Sequence, residues 1–263
     1  LRRDADGGIA LTGVRTIGIV GSGPTAIYVV KYLIMHDQPL DITVFEASAQ
    51  AGLGMPYNPD MNADYMLCNA FSREIPAPVT PPIDWLKHRP ACELSEWELS
   101  THDLSARAFY PRVLIGEYLQ SQFTDLCARA RAAGHTITLK INTAVSDIVP
   151  DGAGGANVHW RHGDATGATR CDAVVIASGH NWPKQPQIDG ITLISPWPYT
   201  RIIQAPGQRI GILGSSLSAV DVVVALGHAR GRFEEIAGEI IWLPNAGQEN
   251  LSIAMVSHMG VMP

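Results

Sequence analysis

The chain has 263 residues, 46% of them hydrophobic and 17% charged, with a net charge of −6. That is enough apolar material for one large domain or two modest ones. No clustered Lys/Arg run offers a seat for nucleic acid or an anionic membrane, and no apolar stretch reaches the roughly 18–20 residues that cross a bilayer.

The opening "LRRDADGGIALTG" lacks the continuous apolar core of a secretory signal. Residues 15–20 read as a short β-branched strand. A helix follows from Pro24 or Thr25 to about His36, apolar on most faces and expected to be buried. "DITVFEA", 41–47, is a second strand ending on Glu46. Strand, glycine turn, helix and strand within about 30 residues make a βαβ unit with a right-handed crossover.

From Ser48 to Thr80 the chain is rich in Gly, Pro, Asn and Met, and such irregular spans are functional or disordered. "PPIDWLKHR" starts a helix with proline in its first turn. A longer helix is expected over roughly Arg112–Ala133, with Ile115, Leu119, Phe123, Leu126 and Ala130 on one face and Gly134 as its C-terminal cap. "TITLKI" alternates like a strand, and "TAVSDIVP", "ANVHWRH" and "ATRC" read as an antiparallel meander. "DAVVIASGH", 172–180, is a buried strand emptying into Ser178-Gly179, and the Pro-rich span 183–206 reads as a crossing between domains. "RIGILGSSLSAVDVVVAL", 209–226, then repeats the opening pattern, with "EIIWL" and "NLSIAMVS" as further strands. The four cysteines show neither a C-x-x-C pair nor metal-like spacing, so reduced thiols of a cytoplasmic protein, without zinc, are expected.

Two turns carry the chemistry. Gly21-Ser22-Gly23-Pro24-Thr25-Ala26 fits G-x-G-x-x-G/A. Its first glycine permits the tight turn, its second keeps a side chain away from a pyrophosphate, and the small third residue lets helix and strand pack closely. The helix N-terminus offers N–H groups and partial positive charge to phosphates. Glu46 stands 20 residues after Ala26, where a carboxylate grips a ribose 2′-hydroxyl and repels a 2′-phosphate. FAD and NAD both remain open at this site on those grounds. The second loop, Gly211-x-x-Gly214-Ser215-Ser216-Leu217-Ser218-Ala219, is looser, because Ser216 replaces the second glycine. The strand ending "MVSHMG" offers His258 and no carboxylate, which leans to NADP over NAD.

In this order, these features resemble the flavin-dependent monooxygenases among the two-dinucleotide-binding-domain flavoproteins. More closely, "GSGPTAIY", "AGLGMPY", "MLCN", "SREIP", "FYPRVLIGEY", "ASGHNWP" and "SSLSAVD" are similar to the bacterial FAD/NAD(P)-binding protein family of the YdhS type, from Arg15 to Pro263. Ser178 departs from the usual Thr of that family, and His258 stands where relatives can carry Arg.

The resemblance implies that Gly21, Gly23, Pro24, Thr25 and Ala26 form the FAD loop with Glu46. Gly52 and Gly54 would let backbone approach the flavin or its pyrophosphate. Val145 would read the adenine through its backbone, and Gly179 would pass close to the cofactor. Gly214, Ser216, Leu217 and Ser218 would form the NAD(P) loop. Asn69 would contact flavin and nicotinamide, and is the residue nearest to catalysis; its alternative is a turn residue capping Phe71–Glu74. Tyr57, Trp85, Tyr110 and His180 are candidates for the surroundings of flavin or substrate, and Arg112 for a phosphate or a structural ion pair.

The expected fold is α/β: a three-layer FAD/NAD(P)-binding Rossmann-like domain over 14–200, with a helical insertion at about 80–133 and a β-meander at about 143–171, followed by the beginning of an NAD(P)-binding domain over 207–263. Family members usually run longer, so the resemblance implies an N-terminal portion. The implied function is FAD-dependent NAD(P)H oxidoreduction of the monooxygenase type. Its alternatives are a flavin reductase or dehydrogenase without oxygen insertion, and a non-catalytic dinucleotide-binding sensor. Substrate and oligomeric state stay open.

Overall fold

The computed structural model describes residues 2–3, 9–10, 13, 15–180, 187–188 and 191–258. Asn181, Trp182 and Pro183 of "ASGHNWP" lie outside these. The chain divides into two compact units, the first of residues 1–57, 70–110 and 114–181, the second of residues 58–69, 111–113 and 182–263.

The first unit is built on a four-stranded parallel sheet. Strand β1 (Thr16–Val20) leads through the glycine turn into α1 (Pro24–Leu33), which returns to β2 (Asp41–Phe45) beside β1. Short helices α2 (Pro82–Lys87) and α3 (Ala91–Ser95) precede the long α4 (Arg112–Ala132). After α4 comes β3 (Thr136–Lys140), which pairs with β2. The antiparallel meander β4 (Thr143–Pro150), β5 (Ala156–His162) and β6 (Ala165–Cys171) follows. Strand β7 (Ala173–Ile176) then closes the sheet on the other side of β1, giving the order β3-β2-β1-β7.

The pleat assigns the two faces of this sheet. Ile17 and Ile19 stand beside Ile42 and Val44 on one face, all buried, and fully burying such a side chain is worth about 1.5–3 kcal/mol. The opposite face carries Gly18 and Phe45, and there the meander packs. Phe45, Val158 and Cys171 form one buried cluster, and a Cβ at Gly18 would sit 2.9 Å from Cys171 Sγ. Burial pushes that thiol's pKa up. All four cysteines are unpaired, and three are buried.

Helix α4 carries the expected face: Ile115, Leu119, Phe123, Leu126 and Ala130 are all buried. Its end is capped as expected, with Gly134 at φ +87° donating to Arg131 O and His135 N–H donating to Ala130 O. Buried His135 then accepts from Leu40 N–H at Nδ1, while Nε2 lies 3.2 Å from Ile34 O, so one imidazole ties the ends of three segments. Helix α1 is shorter and less enclosed than its apolar sequence suggests. It ends at Leu33, and Tyr32 and Met35 are exposed. Lys31 and Tyr28 on its outer side donate to Ala77 O and Pro76 O, pinning the irregular segment.

The second unit contains α5 (Tyr199–Ile203), β8 (Arg209–Leu213), α6 (Leu217–Arg230), β9 (Gly231–Ile236), β10 (Glu239–Pro244) and β11 (Ser252–Val256). Strands β8 and β11 pair in parallel, the beginning of a second Rossmann-like sheet. Helix α5 lies inside the span expected to be a plain crossing. The β9–β10 hairpin was not expected from the sequence. It turns on Ala237 and Gly238, both at positive φ, as a tight two-residue hairpin requires. Among the described residues no helix is long and apolar enough to cross a membrane.

Candidate dinucleotide sites

The first glycine turn is held from several sides. Gly21 N–H donates to Phe45 O at 2.7 Å, bending the chain over the end of β2. Gly21 has φ +93°, and a Cβ there would lie 2.4 Å from Ala177 O, so the turn presses on the chain leaving β7. Gly23 faces another glycine, with an added Cβ 3.1 Å from Gly54 Cα. Gly54, at φ +71°, would drive a Cβ to 2.8 Å from Pro24 Cδ. Gly52, at φ +95°, abuts Gln120 on α4. The 52–54 segment therefore lies backbone to backbone against the turn.

Glu46 is the clasp. Its Oε2 accepts from Ser22 N–H at 3.0 Å and Ser22 Oγ at 2.6 Å, while Oε1 accepts from Ser48 N–H and Ser48 Oγ, both at 2.8 Å. Ser22 Oγ in turn accepts from Gly52 N–H at 3.0 Å. One carboxylate thus joins the glycine turn, the end of β2 and the 52–54 segment through charge-assisted hydrogen bonds. The sequence assigned Glu46 to a ribose hydroxyl; this clasp is what spacing alone did not show.

Helix α1 starts at Gly23 with no side-chain cap and no acidic residue in its first turn. Its N–H groups and the positive end of its dipole suit a pyrophosphate, so these residues fit a dinucleotide. Val145 lies nearby in sequence register, at a bulge on edge strand β4, two residues beyond Thr143, whose N–H donates to Glu46 O. Gly179 is exposed, with φ +72° and open space where a Cβ would stand.

At the far end of the sheet, Asp172 accepts from Arg15 and Thr16 N–H at 3.0 and 2.9 Å and from Arg170 Nη1 at 2.7 Å. Those bonds hold its carboxyl well below the usual carboxylate range. They tie the start of β1 to that of β7, whose other ends meet at Gly21 and Ala177.

The second unit repeats the turn. Gly214 N–H donates to Val256 O at 2.7 Å, as Gly21 does to Phe45. The register Leu213↔Val256 matches Val20↔Phe45, which sets Ser257 at the position of Glu46 and His258 one residue further. Helix α6 begins after Ser216, again with no side-chain cap and no acid in its first turn. A cavity of about 280 Å³ opens beside it, lined by Tyr65, Cys68, Asn69, Arg112, Leu217 and Asp221 among others. Burial pushes the Cys68 thiol up to about 11. Tyr65 stacks on His228 with ring centres 3.9 Å apart, and burial lowers the His228 pKa.

Residues 18–181 match the FAD-NAD(P)-binding family. The chain belongs to that family. It is 32% identical over 251 residues to YdhS of Escherichia coli strain K12, an uncharacterized protein, covering 95% of this chain and 46% of YdhS. This chain therefore spans about half the length of that curated relative. Among solved structures, its fold is similar to an ornithine N-hydroxylase of Kutzneria sp. 744, with a TM-score of 0.58 at 16% identity over 93% of this chain and 53% of the other. It is also similar to the S-allyl-L-cysteine S-oxygenase from Allium sativum, with a TM-score of 0.54 at 18% identity over 93% and 55%. The first of these is described with reduced FAD, NADP+ and L-ornithine. At such identities the likeness is one of fold.

The candidate residues fall into two groups. Gly21, Gly23, Pro24, Thr25, Ala26, Glu46, Gly52, Gly54, Val145 and Gly179 belong to the first unit; Asn69, Gly214, Ser216, Leu217 and Ser218 belong to the second. Asn69 and Leu217 line the same cavity. Asn69 is not the cap of the 72–74 turn; the Glu74 carboxylate accepts from Phe71 N–H instead. Tyr110 is buried, its hydroxyl bonded to the backbone of Ser105, and Trp85 packs edge-on against Tyr118, so both are structural. Arg112 makes an ion pair with Asp221. Ser22, Ser48 and Asp221 escaped the sequence reading. Ser22 and Ser48 carried a usable signal, as hydroxyls flanking a glycine turn and a strand-end carboxylate.

Proposed function

We propose that this chain forms the dinucleotide-binding portion of an NAD(P)H-dependent flavin oxidoreductase of the monooxygenase type, with FAD at the first glycine turn and NADP or NAD at the second. The observation that carries this reading is the pair of strand–turn–helix units. Each has a glycine N–H closing onto the neighbouring strand and a helix end without a side-chain cap. The first unit alone has a strand-end carboxylate. That pattern suits FAD, whose ribose ends in hydroxyls, at the first turn, and leaves the second open to a 2′-phosphate beside Ser257 and His258.

FAD, when bound, supplies a ring that takes hydride from a nicotinamide and hands electrons to oxygen or another acceptor. Gly21 and Gly23 keep side chains away from the phosphates, while Thr25 and Ala26 present backbone N–H groups. Glu46 holds the turn and the 52–54 segment in one arrangement before any ligand arrives. In this reading Asn69, with one donor and one acceptor group on a planar amide, faces the nicotinamide dinucleotide from the cavity it lines with Leu217. No nucleophile or acid–base pair is called for.

The visible absorption spectrum of the purified chain, titrated with FAD and then with NADPH under nitrogen, tests this reading. Stoichiometric FAD uptake and bleaching by NADPH are expected. A chain that takes up no FAD sinks the proposal, and oxygen consumption without a substrate-dependent product moves it to a reductase.

A further inference from the structure

Arg112 Nη2 meets Asp221 Oδ2 at 2.8 Å, with both side chains only 14% exposed. No other ion pair among the described residues encloses both partners so far. Arg112 also donates its backbone N–H to Met66 O at 2.8 Å, places Nη1 at 3.4 Å from Asn62 Oδ1, and lays its guanidinium 5.7 Å from the centre of the Trp197 ring. It therefore holds the segment that ends in Asn69. Asp221 belongs to α6 and lies five residues beyond Ser216, roughly 7.5 Å along the helix axis from the end that faces the loop.

A carboxylate there works against a phosphate site. It offsets the positive end of the helix dipole and repels a pyrophosphate across a partly dehydrated wall. We propose that Arg112 masks the charge of Asp221, keeping the start of α6 receptive to the phosphates of a nicotinamide dinucleotide while the same ion pair fixes the Asn69 segment beside it. The inference rests on the reading of the second turn as the nicotinamide dinucleotide site. Arg112 acts through Asp221 and is a positioning residue.

Masking has a signature that a merely structural ion pair lacks. A purely structural pair stays broken when both charges are removed, so the double variant would recover nothing. A masked carboxylate is harmful only when its cation is removed. Calorimetric titration of the 263-residue chain with NADP+, and separately with FAD, reads the difference. Arg112→Gln is expected to weaken NADP+ binding by about tenfold with FAD affinity unchanged, because it leaves a bare carboxylate beside the phosphates. Asp221→Asn should bind NADP+ at least as tightly as the wild type, and Arg112→Gln combined with Asp221→Asn should recover most of the lost affinity.

Equal losses in the two single variants, or no loss in Arg112→Gln, overturn the inference. If Arg112→Gln does not fold, as thermal melts will show, Asp221→Asn decides alone, and a clear loss of NADP+ affinity in it rejects masking. A wild-type chain that binds neither NADP+ nor NAD+ removes the second dinucleotide site and the inference with it. That failure is read before any variant is made.

Discussion

In both units a glycine N–H at the end of a parallel strand closes onto the carbonyl ending its neighbour, Gly21 onto Phe45 and Gly214 onto Val256, each at 2.7 Å. What surrounds the two turns differs. The first is wedged between Ala177 O and Gly54 and clasped by Glu46 through four hydrogen bonds. Around Gly211 and Gly214 an added Cβ would meet nothing within 4 Å, and Leu213 and Val256 are exposed. The first turn is preorganised by packing against Ala177 and Gly54 and by the Glu46 clasp, while the second shares with it the glycine N–H bond to the neighbouring strand. A preorganised turn gives up little freedom when a ligand binds. That preorganisation supports the proposed seat of FAD at the first turn.

The sharpest way to break that contrast is to put the same methyl group into both turns. Gly21→Ala adds a positive-φ penalty to a clash with a backbone carbonyl. We expect a loss of about 2–4 kcal/mol of stability and of FAD uptake. Gly214→Ala meets open space, so it should cost about 1–2 kcal/mol from φ alone and weaken NADP+ while sparing FAD. Paired denaturant melts and titrations measure both. Equal effects at the two turns would show that they are equally constrained.

The strand-end position offers a smaller contrast. Glu46→Gln turns an N–H₂ group toward donors from Ser22 or Ser48 and should cost about 1–3 kcal/mol, with weaker FAD binding. In the opposite direction, Ser257→Glu should lower NADP+ affinity relative to NAD+ by about tenfold, since a carboxylate there repels a 2′-phosphate. An unchanged NADP+/NAD+ ratio would remove Ser257 from the second site.

The smallest expected effect concerns pH. Bonds from the Arg15 and Thr16 N–H groups, with Arg170, hold the Asp172 carboxyl below its unfolded value of about 3.9. A depressed folded value means stability present above about pH 4 and progressively lost as pH falls below it. Melting temperatures from pH 6 down to pH 3 should therefore fall less steeply for Asp172→Asn than for the wild type, and parallel slopes would contradict the assignment.

Local patterns in the sequence were readable where a single element carries its own signal. The α4 face from Ile115 to Ala130 and its Gly134 cap follow from helical period and a residue suited to positive φ. The reading weakened where structure depends on distant partners. Helix α1 reads as apolar on most faces and buried, yet Tyr32 is exposed, because burial is decided by what covers a face. The β9–β10 hairpin was missed since "EIAGEI" lacks the Asn-Gly or Asp-Gly signal that marks such turns. Arg112 and Asp221 stand 109 residues apart, beyond the reach of any spacing argument.

By itself the sequence determined the two strand–turn–helix units, their order, and the carboxylate that follows the second strand. These are consequences of backbone sterics and hydrophobic period within about 30 residues. Only the tertiary structure decided which glycines are indispensable and what Glu46 holds. Gly21 needs to be glycine because its φ is positive and Ala177 O lies where a Cβ would stand, and Glu46 is a clasp because Ser22 and Ser48 converge on its two oxygens. Close backbone approach and hydrogen-bond saturation belong to the packed chain, and a linear pattern can name the residues without saying what they meet.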